Sequence, residues 1–270
     1  MTIGRSILAL VGVGLLACTA SAQWTADFEP PAYTGSAAGT VLSGQQGWYL
    51  PVTSPPGKDY NVFTYANNAY GFVQNPEGGA QFAAGRSEGS TDYARAEHLY
   101  DWGTGEWTVT WDIAAQFNGT LPASDYLGSF SLQPSATARY WQTLFVWNNL
   151  NTADKWHINY ITRENALPGV TPGPAWDNLD PNHWYRLWTT FSMATGGITE
   201  IAIKDLTTGI KTTLQVNWTF VNPTNPDPTA LRFFTGGTIA GNICAWDNLN
   251  VIPEPASLLL MASMLLLRRR

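Results

Sequence analysis

The stretch Trp107-Thr-Val109-Thr-Trp111-Asp-Ile113-Ala-Ala115-Gln-Phe117 decides the fold class. Every odd-numbered residue in it is apolar. The two-residue repeat of a β-strand therefore gathers these side chains on one inward face. The opposite face, with Asp112 standing alone on it, is expected to meet water or a polar groove.

The same period runs outward along the chain. Trp156-His-Ile158-Asn-Tyr160 and Ile210-Lys-Thr212-Thr-Leu214-Gln-Val216 alternate in the same way. Thr199 to Asp205 followed by Leu206-Thr-Thr-Gly209 reads as a strand and hairpin turn into Ile210. Tyr185-Arg-Leu187-Trp-Thr189-Thr-Phe191 carries large residues on both faces, which predicts a strand covered on both sides near the middle of a sheet. Pro- and Gly-rich turn clusters separate these runs, at Ser54–Gly57, Asn75–Gly79, Pro168–Pro174 and Asn222–Pro228. No segment sustains a helical stripe, and no fixed period indicates a propeller or solenoid. The expectation is all-β, with two packed antiparallel sheets.

The two ends read differently from the middle. Arg5 precedes an apolar stretch from Ile7 to Ala17, and Ala20-Ser21-Ala22 has the small-x-small pattern cut by signal peptidase. Residues 1–22 are thus read as a signal peptide, with Gln23 as the mature start. Leu15-Leu16-Ala17-Cys18 resembles a lipobox, and lipidation would instead make Cys18 the mature N-terminus. At the other end Pro253-Glu254-Pro255 precedes a Leu- and Met-rich run, Leu258 to Leu267, and then Arg268-Arg269-Arg270. The prolines stop a helix, the apolar run partitions into a bilayer, and the arginines stay on the cytoplasmic side. Residues 253–270 resemble a PEP-CTERM sorting tail. That resemblance implies recognition by an exosortase, cleavage near Pro253-Glu254-Pro255, and display at the cell envelope or in the extracellular matrix of a Gram-negative-type bacterium. The apolar run is shorter than the ~20 residues of a spanning helix. It reads either as an anchor that is kept or as one that inserts briefly before processing.

Between these ends, residues 23–252 form one β-sandwich domain of 230 residues. The whole chain carries a formal charge of −6, and this central part about −9, with 10 Lys and Arg against 19 Asp and Glu. That balance excludes a nucleic-acid protein, which needs clustered basic residues. It also excludes adhesion to anionic lipid heads. Cys18 and Cys244 are the two cysteines, so the central domain has no internal disulfide, and Cys244 is read as a small buried hydrophobe. The 13 Trp supply ample apolar surface to bury.

Four short motifs carry a resemblance for the domain. They are Asp27-Phe28-Glu29, Gly44-Gln-Gln-Gly47-Trp48, His183-Trp-Tyr-Arg-Leu187 and Trp246-Asp247-Asn248-Leu249-Asn250-Val251. Together they resemble the concanavalin A-like lectin/glucanase sandwich, a jelly roll, over residues 24–251. The resemblance implies that the first and last strands pair in one sheet and that the strand with Tyr185-Arg-Leu187 runs through the core.

Catalytic chemistry is poorly served. Retaining glycoside hydrolysis needs two carboxyl groups ~5 Å apart in a cleft. Glu97, Asp101 and Glu106 have the wrong spacing for one strand face, with Gly103 and Gly105 between them. A polysaccharide lyase is the stronger enzymatic rival: Tyr93, Arg95 and Glu97, with His157, Asn159 and Tyr160, could neutralise a uronate and remove its C5 proton. The Gln-x-His triplet and Tyr-x-Lys-x-Gly segment of alginate-lyase-like sandwiches are missing. Arg95 and Glu97 otherwise read as an ordinary pair on one strand face. The three His lack zinc spacing. Calcium is a candidate structural ion at Asp27, Glu29, Asp247 and Asn248, if the terminal strands pair. No phosphate loop or nucleophile elbow is present, and no other cofactor is expected.

Sugar binding remains. Pyranose C–H faces stack on exposed aromatic rings while Asn and Asp take the hydroxyls. Tyr140-Trp141, Trp147-Asn148 and Trp176-Asp177 are the candidate glycan contacts, Trp176 foremost, because a loop Trp has no strand face to bury it. The expectation is an exported, displayed, non-catalytic module that binds extracellular glycan or packs in a polysaccharide matrix. The alternative is a lyase or glycoside hydrolase.

Overall fold

The computed structural model describes residues 23–52, 57–119, 125–134, 138–147, 154–222 and 229–254. Segments 1–22 and 255–270 lie outside the described residues, and with them Cys18 and Pro255, as does Asn148. In chain order the strands are β1 (Trp24–Ala26), β2 (Thr40–Val41), β3 (Trp48–Tyr49), β4 (Asn61–Thr64), β5 (Gln81–Glu88), β6 (Ala94–Tyr100), β7 (Glu106–Phe117) and β8 (Tyr126–Gln133). There follow β9 (Trp141–Trp147), β10 (Trp156–Ile161), β11 (Tyr185–Ser192), β12 (Gly197–Asp205), β13 (Lys211–Thr219), β14 (Thr229–Thr235) and β15 (Ala240–Pro253). One 3-10 turn, Pro174–Trp176, is the sole helical element among the described residues.

The strands form two antiparallel sheets. The larger runs β13-β12-β11-β7-β15-β5-β4-β2, with β1 also paired to β15, and the smaller runs β10-β9-β8-β14-β6-β3. The first and last strands do meet, Trp24 opposite Val251 and Ala26 opposite Leu249. The strand Tyr185–Ser192 lies between β7 and β12. The expected hairpin joins β12 to β13, where Asp205 accepts the N–H groups of Thr207 and Thr208 and Gly209 takes φ 76°.

Aromatic rings join the layers. From the larger sheet Trp111 stacks on Phe130 at 4.2 Å between centroids, and Trp246 on Phe233 at 4.4 Å, both partners belonging to the smaller sheet. Each buried Trp removes about 200 Å² from water, on the order of 5 kcal/mol before the entropy of ordering it. Ten of the Trp are fully buried. Cys244 is also fully buried, and burial pushes its thiol up to about 12, as befits an inert core residue.

The outward face of β7 departs from expectation. Thr110, Asp112 and Ala114 are buried rather than wet. Outside the larger sheet Phe72, Phe82, Ala114, Trp184 and Ala245 make a second, smaller core. The chain around Tyr65–Gly79 lies over this face. Asn75 Nδ2 reaches Asp112, and Trp184 donates to the carbonyl of Val73. Period two had told which way side chains point, but not that a distant loop closes over them. Trp188, on the outward face of β11, is only half-covered, with Lys211 Nζ 4.3 Å from its ring centroid. That strand is therefore not sealed on both sides as predicted.

Candidate functional site

The outer face of the smaller sheet carries a groove. Strand pairing lays its side chains out in rows. Arg95 of β6 stands opposite Phe234 of β14, which faces Ser129 of β8 and then Leu144 of β9. The next row reads Glu97, Arg232, Ser131, Gln142. Of these positions Arg95, Phe234, Ser129, Leu144, Arg232 and Gln142 line a groove of about 350 Å³. Arg95, Arg139 and Arg232 supply its charge, while Ser129, Gln133 and Gln142 supply neutral hydrogen-bonding groups. Tyr126, Leu144, Leu167 and Phe234 add apolar surface.

The groove is built, not incidental. Ser129, Gln133, Gln142 and Arg232 are all buried although they line it. Burying polar groups costs free energy unless they are paired. Arg232 is paired with Glu97, which also accepts the Tyr49 hydroxyl at 2.8 Å. Burial lowers the Arg232 guanidinium pKa, with Arg95 adding to the fall and Glu97 opposing it. Gln133 donates to Ser131 at 2.8 Å, while its buried Oε1 has no hydrogen-bond partner among the described residues. Arg139 donates to the Gln142 side chain. Arg95 lies over the Tyr93 and Phe234 rings, 4.7 and 5.4 Å from their centroids. Burial raises the Tyr126 hydroxyl pKa, as does nearby Asp125, so the phenol stays neutral.

Several expectations are corrected here. Arg95 and Glu97 share a strand face but do not pair, because Arg232, directly opposite on β14, takes Glu97 instead. Tyr160 points into the core. His157 and Asn159 sit on β10 outside the groove lining, and Asn159 is engaged with Thr171 and the carbonyl of Pro168. The stacking platforms are not platforms. Trp176 is 1 % exposed, and Tyr140, Trp141 and Trp147 are equally buried, so none of these four rings opens a face to a sugar. The 3-10 turn packs against β10 and carries the Trp176 ring inward, supplying the burial a strand would have given. Trp147 donates to Asn242 at 2.7 Å, and Tyr140 stacks on Phe220. Asp177 is half-buried and accepts the N–H of Asn178.

Two carboxylates do converge, on the other sheet. Asp112 of β7 stands opposite Asp247 of β15, and Asn75 Nδ2 donates to both, at 2.7 and 3.2 Å. Both side chains are fully buried. Arg186 of β11 grips Asp112 through Nε at 2.6 Å and Nη2 at 2.8 Å, and reaches Glu77 at 2.7 Å. Glu77 also pairs with Lys204. Tyr65 donates to Asp247 at 3.0 Å, and Asn248 Nδ2 to Asp112 at 2.8 Å. Burial, then repulsion from Asp112, drives the Asp247 pKa well above the ordinary carboxylate value. A Cβ at Gly78 would sit 2.2 Å from Asp247 Oδ2, so only glycine lets the loop come this close. The pair is a clamp sealed under the loop, with no access for a sugar.

The calcium quartet does not assemble. Asp27 accepts the N–H of Glu29, and Glu29 the N–H of Gln81 at 2.8 Å, while Asp247 and Asn248 belong to the clamp. Among the described residues no group of three or more His, Cys, Asp or Glu is placed to hold a metal. Arg186 already supplies positive charge beside Asp112, which stands opposite Asp247.

No protein-family model matches the chain, and no curated protein matches it. Solved structures do resemble it in outline. Lectin II from Ulex europaeus aligns at TM-score 0.48 and 11 % identity, covering 86 % of this chain and 98 % of that one. Basic winged bean lectin aligns at 0.44 and 10 %, covering 86 % and 99 %. The alginate lyase of Aplysia kurodai aligns at 0.41 and 8 %, covering 67 % and 86 %. At such identities function does not transfer.

Sequence reading missed Arg139, Arg232, Gln133 and Gln142. A signal was available: Ser129-Phe-Ser131-Leu-Gln133 alternates polar and apolar, and Leu231-Arg-Phe233 sets a lone Arg in a greasy strand.

Proposed function

We propose that this chain is exported, displayed at the cell envelope or in its extracellular matrix, and binds a glycan in the outer groove of the smaller sheet without cleaving it. The observation that carries the reading is the groove floor, where polar side chains are buried in a row that crosses several strands. Such a floor presents fixed donors and acceptors to sugar hydroxyls at little entropic cost. Export by signal peptidase after residue 22 and exosortase processing near Pro253-Glu254-Pro255 rest on the sequence of the two ends. The membrane is then a partner only through the tail.

A second reading, polysaccharide lyase, draws on Tyr126, Arg95, Gln133 and Gln142 lining one groove. It needs a base at C5, and the neutral Tyr126 phenol is a weak one. Incubating the full chain with a panel of polysaccharides separates the two. Retention on an immobilised glycan with no new ultraviolet absorbance from an unsaturated sugar supports binding without cleavage. A rising absorbance makes the chain a lyase, and no retention on any glycan removes the binding reading.

A further inference from the structure

We infer that the groove takes a polyanionic polysaccharide, one carrying acidic groups at repeated positions, lying across the strands rather than along them. This rests on the groove being the glycan site and names the class of glycan.

The charge distribution carries the inference. Outside segments 1–22 and 253–270 the chain has six Arg in a strongly acidic background, and three of them line this one groove. Their compensation is unequal. Arg232, in the middle, is neutralised by Glu97. Arg95 and Arg139 take part in none of the ion pairs among the described residues. Arg95 is held against the Tyr93 and Phe234 rings, and its buried Nε has no hydrogen-bond partner among the described residues. Among the described residues the Arg139 guanidinium is held by Gln142, a neutral group. Among the described residues no carboxylate pairs with either guanidinium, and both are kept in place by contacts with uncharged groups.

Their separation excludes a single small anion. Arg95 is on β6, and Arg139 precedes β9, whose Gln142 it contacts. In the order β9-β8-β14-β6 the backbones of β6 and β9 lie three strand spacings apart, about 14 Å. One carboxylate or phosphate cannot bridge that gap, whereas a chain with an acidic group every residue or two can. Between the two ends Ser129, Gln133 and Gln142 offer uncharged partners for hydroxyls, as a sugar backbone requires.

The test measures affinity of the full chain for a polyuronate, for the same polymer with its carboxyls reduced to alcohols, for a sulfated glycan and for a single-stranded oligonucleotide. Tighter binding of the polyuronate or the sulfated glycan than of the reduced polymer, by about tenfold or more, is expected, with affinity falling steeply as salt rises. Arg95→Ala and Arg139→Ala should each weaken the acidic glycan about tenfold, several times more than either weakens the reduced polymer. Near-ultraviolet circular dichroism of the Trp core reports whether each variant is folded, and the salt titration of the parent chain stands without them. Equal binding of the reduced polymer overturns this inference but leaves the glycan-site reading intact. Binding of neither overturns both, and an oligonucleotide that binds as tightly as the polyuronate overturns the polysaccharide assignment.

Discussion

The outer faces of the two sheets begin from the same material and end in different states. Each carries an arginine opposite a carboxylate on the neighbouring strand, Arg186 with Asp112 on the larger sheet and Arg232 with Glu97 on the smaller. On the larger sheet the loop through Asn75, Glu77 and Gly78 settles over the pair, and amides, a phenol and a second carboxylate satisfy what remains. On the smaller sheet the pair floors a groove whose neighbouring guanidiniums and amides keep bonding capacity in reserve. A buried ion pair therefore does not mark a site by itself. What distinguishes strut from site is whether the surrounding polar groups are already satisfied within the chain.

The largest expected effect breaks the strut. Asp112→Ala leaves Arg186 and the amides of Asn75 and Asn248 without their acceptor, and should cost about 3–5 kcal/mol in urea unfolding. A loss below about 1 kcal/mol would mean that the loop does not depend on the clamp.

Next, Trp176→Ala should lower stability by about 3–5 kcal/mol, as for any large core ring, while glycan affinity measured on the folded fraction stays unchanged. A variant as stable as the parent but unable to bind glycan would restore the loop Trp as a contact.

A smaller effect is a matter of pH. The folded chain holds the Asp247 proton more tightly than the unfolded chain does. This stabilisation is complete below the unfolded carboxyl value near ~4 and drains away as pH rises through the higher folded value. In thermal melts from acid to mildly alkaline pH, Asp247→Asn cannot lose that proton. Its Tm relative to the parent should therefore climb as pH rises, and a constant difference would contradict the assignment.

The smallest effect on stability belongs to the open face. Gln142→Ala should change unfolding free energy by less than about 1 kcal/mol and weaken glycan retention several-fold. The reverse pattern would make the groove another strut.

Much of this fold was legible, because alternation is local. Trp107 to Phe117 gave β7 to within a residue, and Thr199 to Ile210 gave a strand and its turn. The pairing of the chain's first and last strands came from a resemblance and is seen in Trp24 opposite Val251. The candidate site was not legible, because exposure is decided by distant segments. A loop Trp reads as exposed until a 3-10 turn folds it inward, and Asp112 reads as solitary until a loop some 37 residues earlier in the chain arrives over it. Arg95 and Glu97 read as a pair until β14 brings Arg232 alongside.

Arginine-selective labelling of the folded chain, read by mass spectrometry with and without an acidic polysaccharide, tests the central claim most directly. If the outer face of the smaller sheet is the binding face, the polymer slows modification of Arg95 and Arg139 and leaves Arg86 and Arg163 unchanged. Equal slowing at all four, or protection at Arg86 and Arg163 alone, would contradict it.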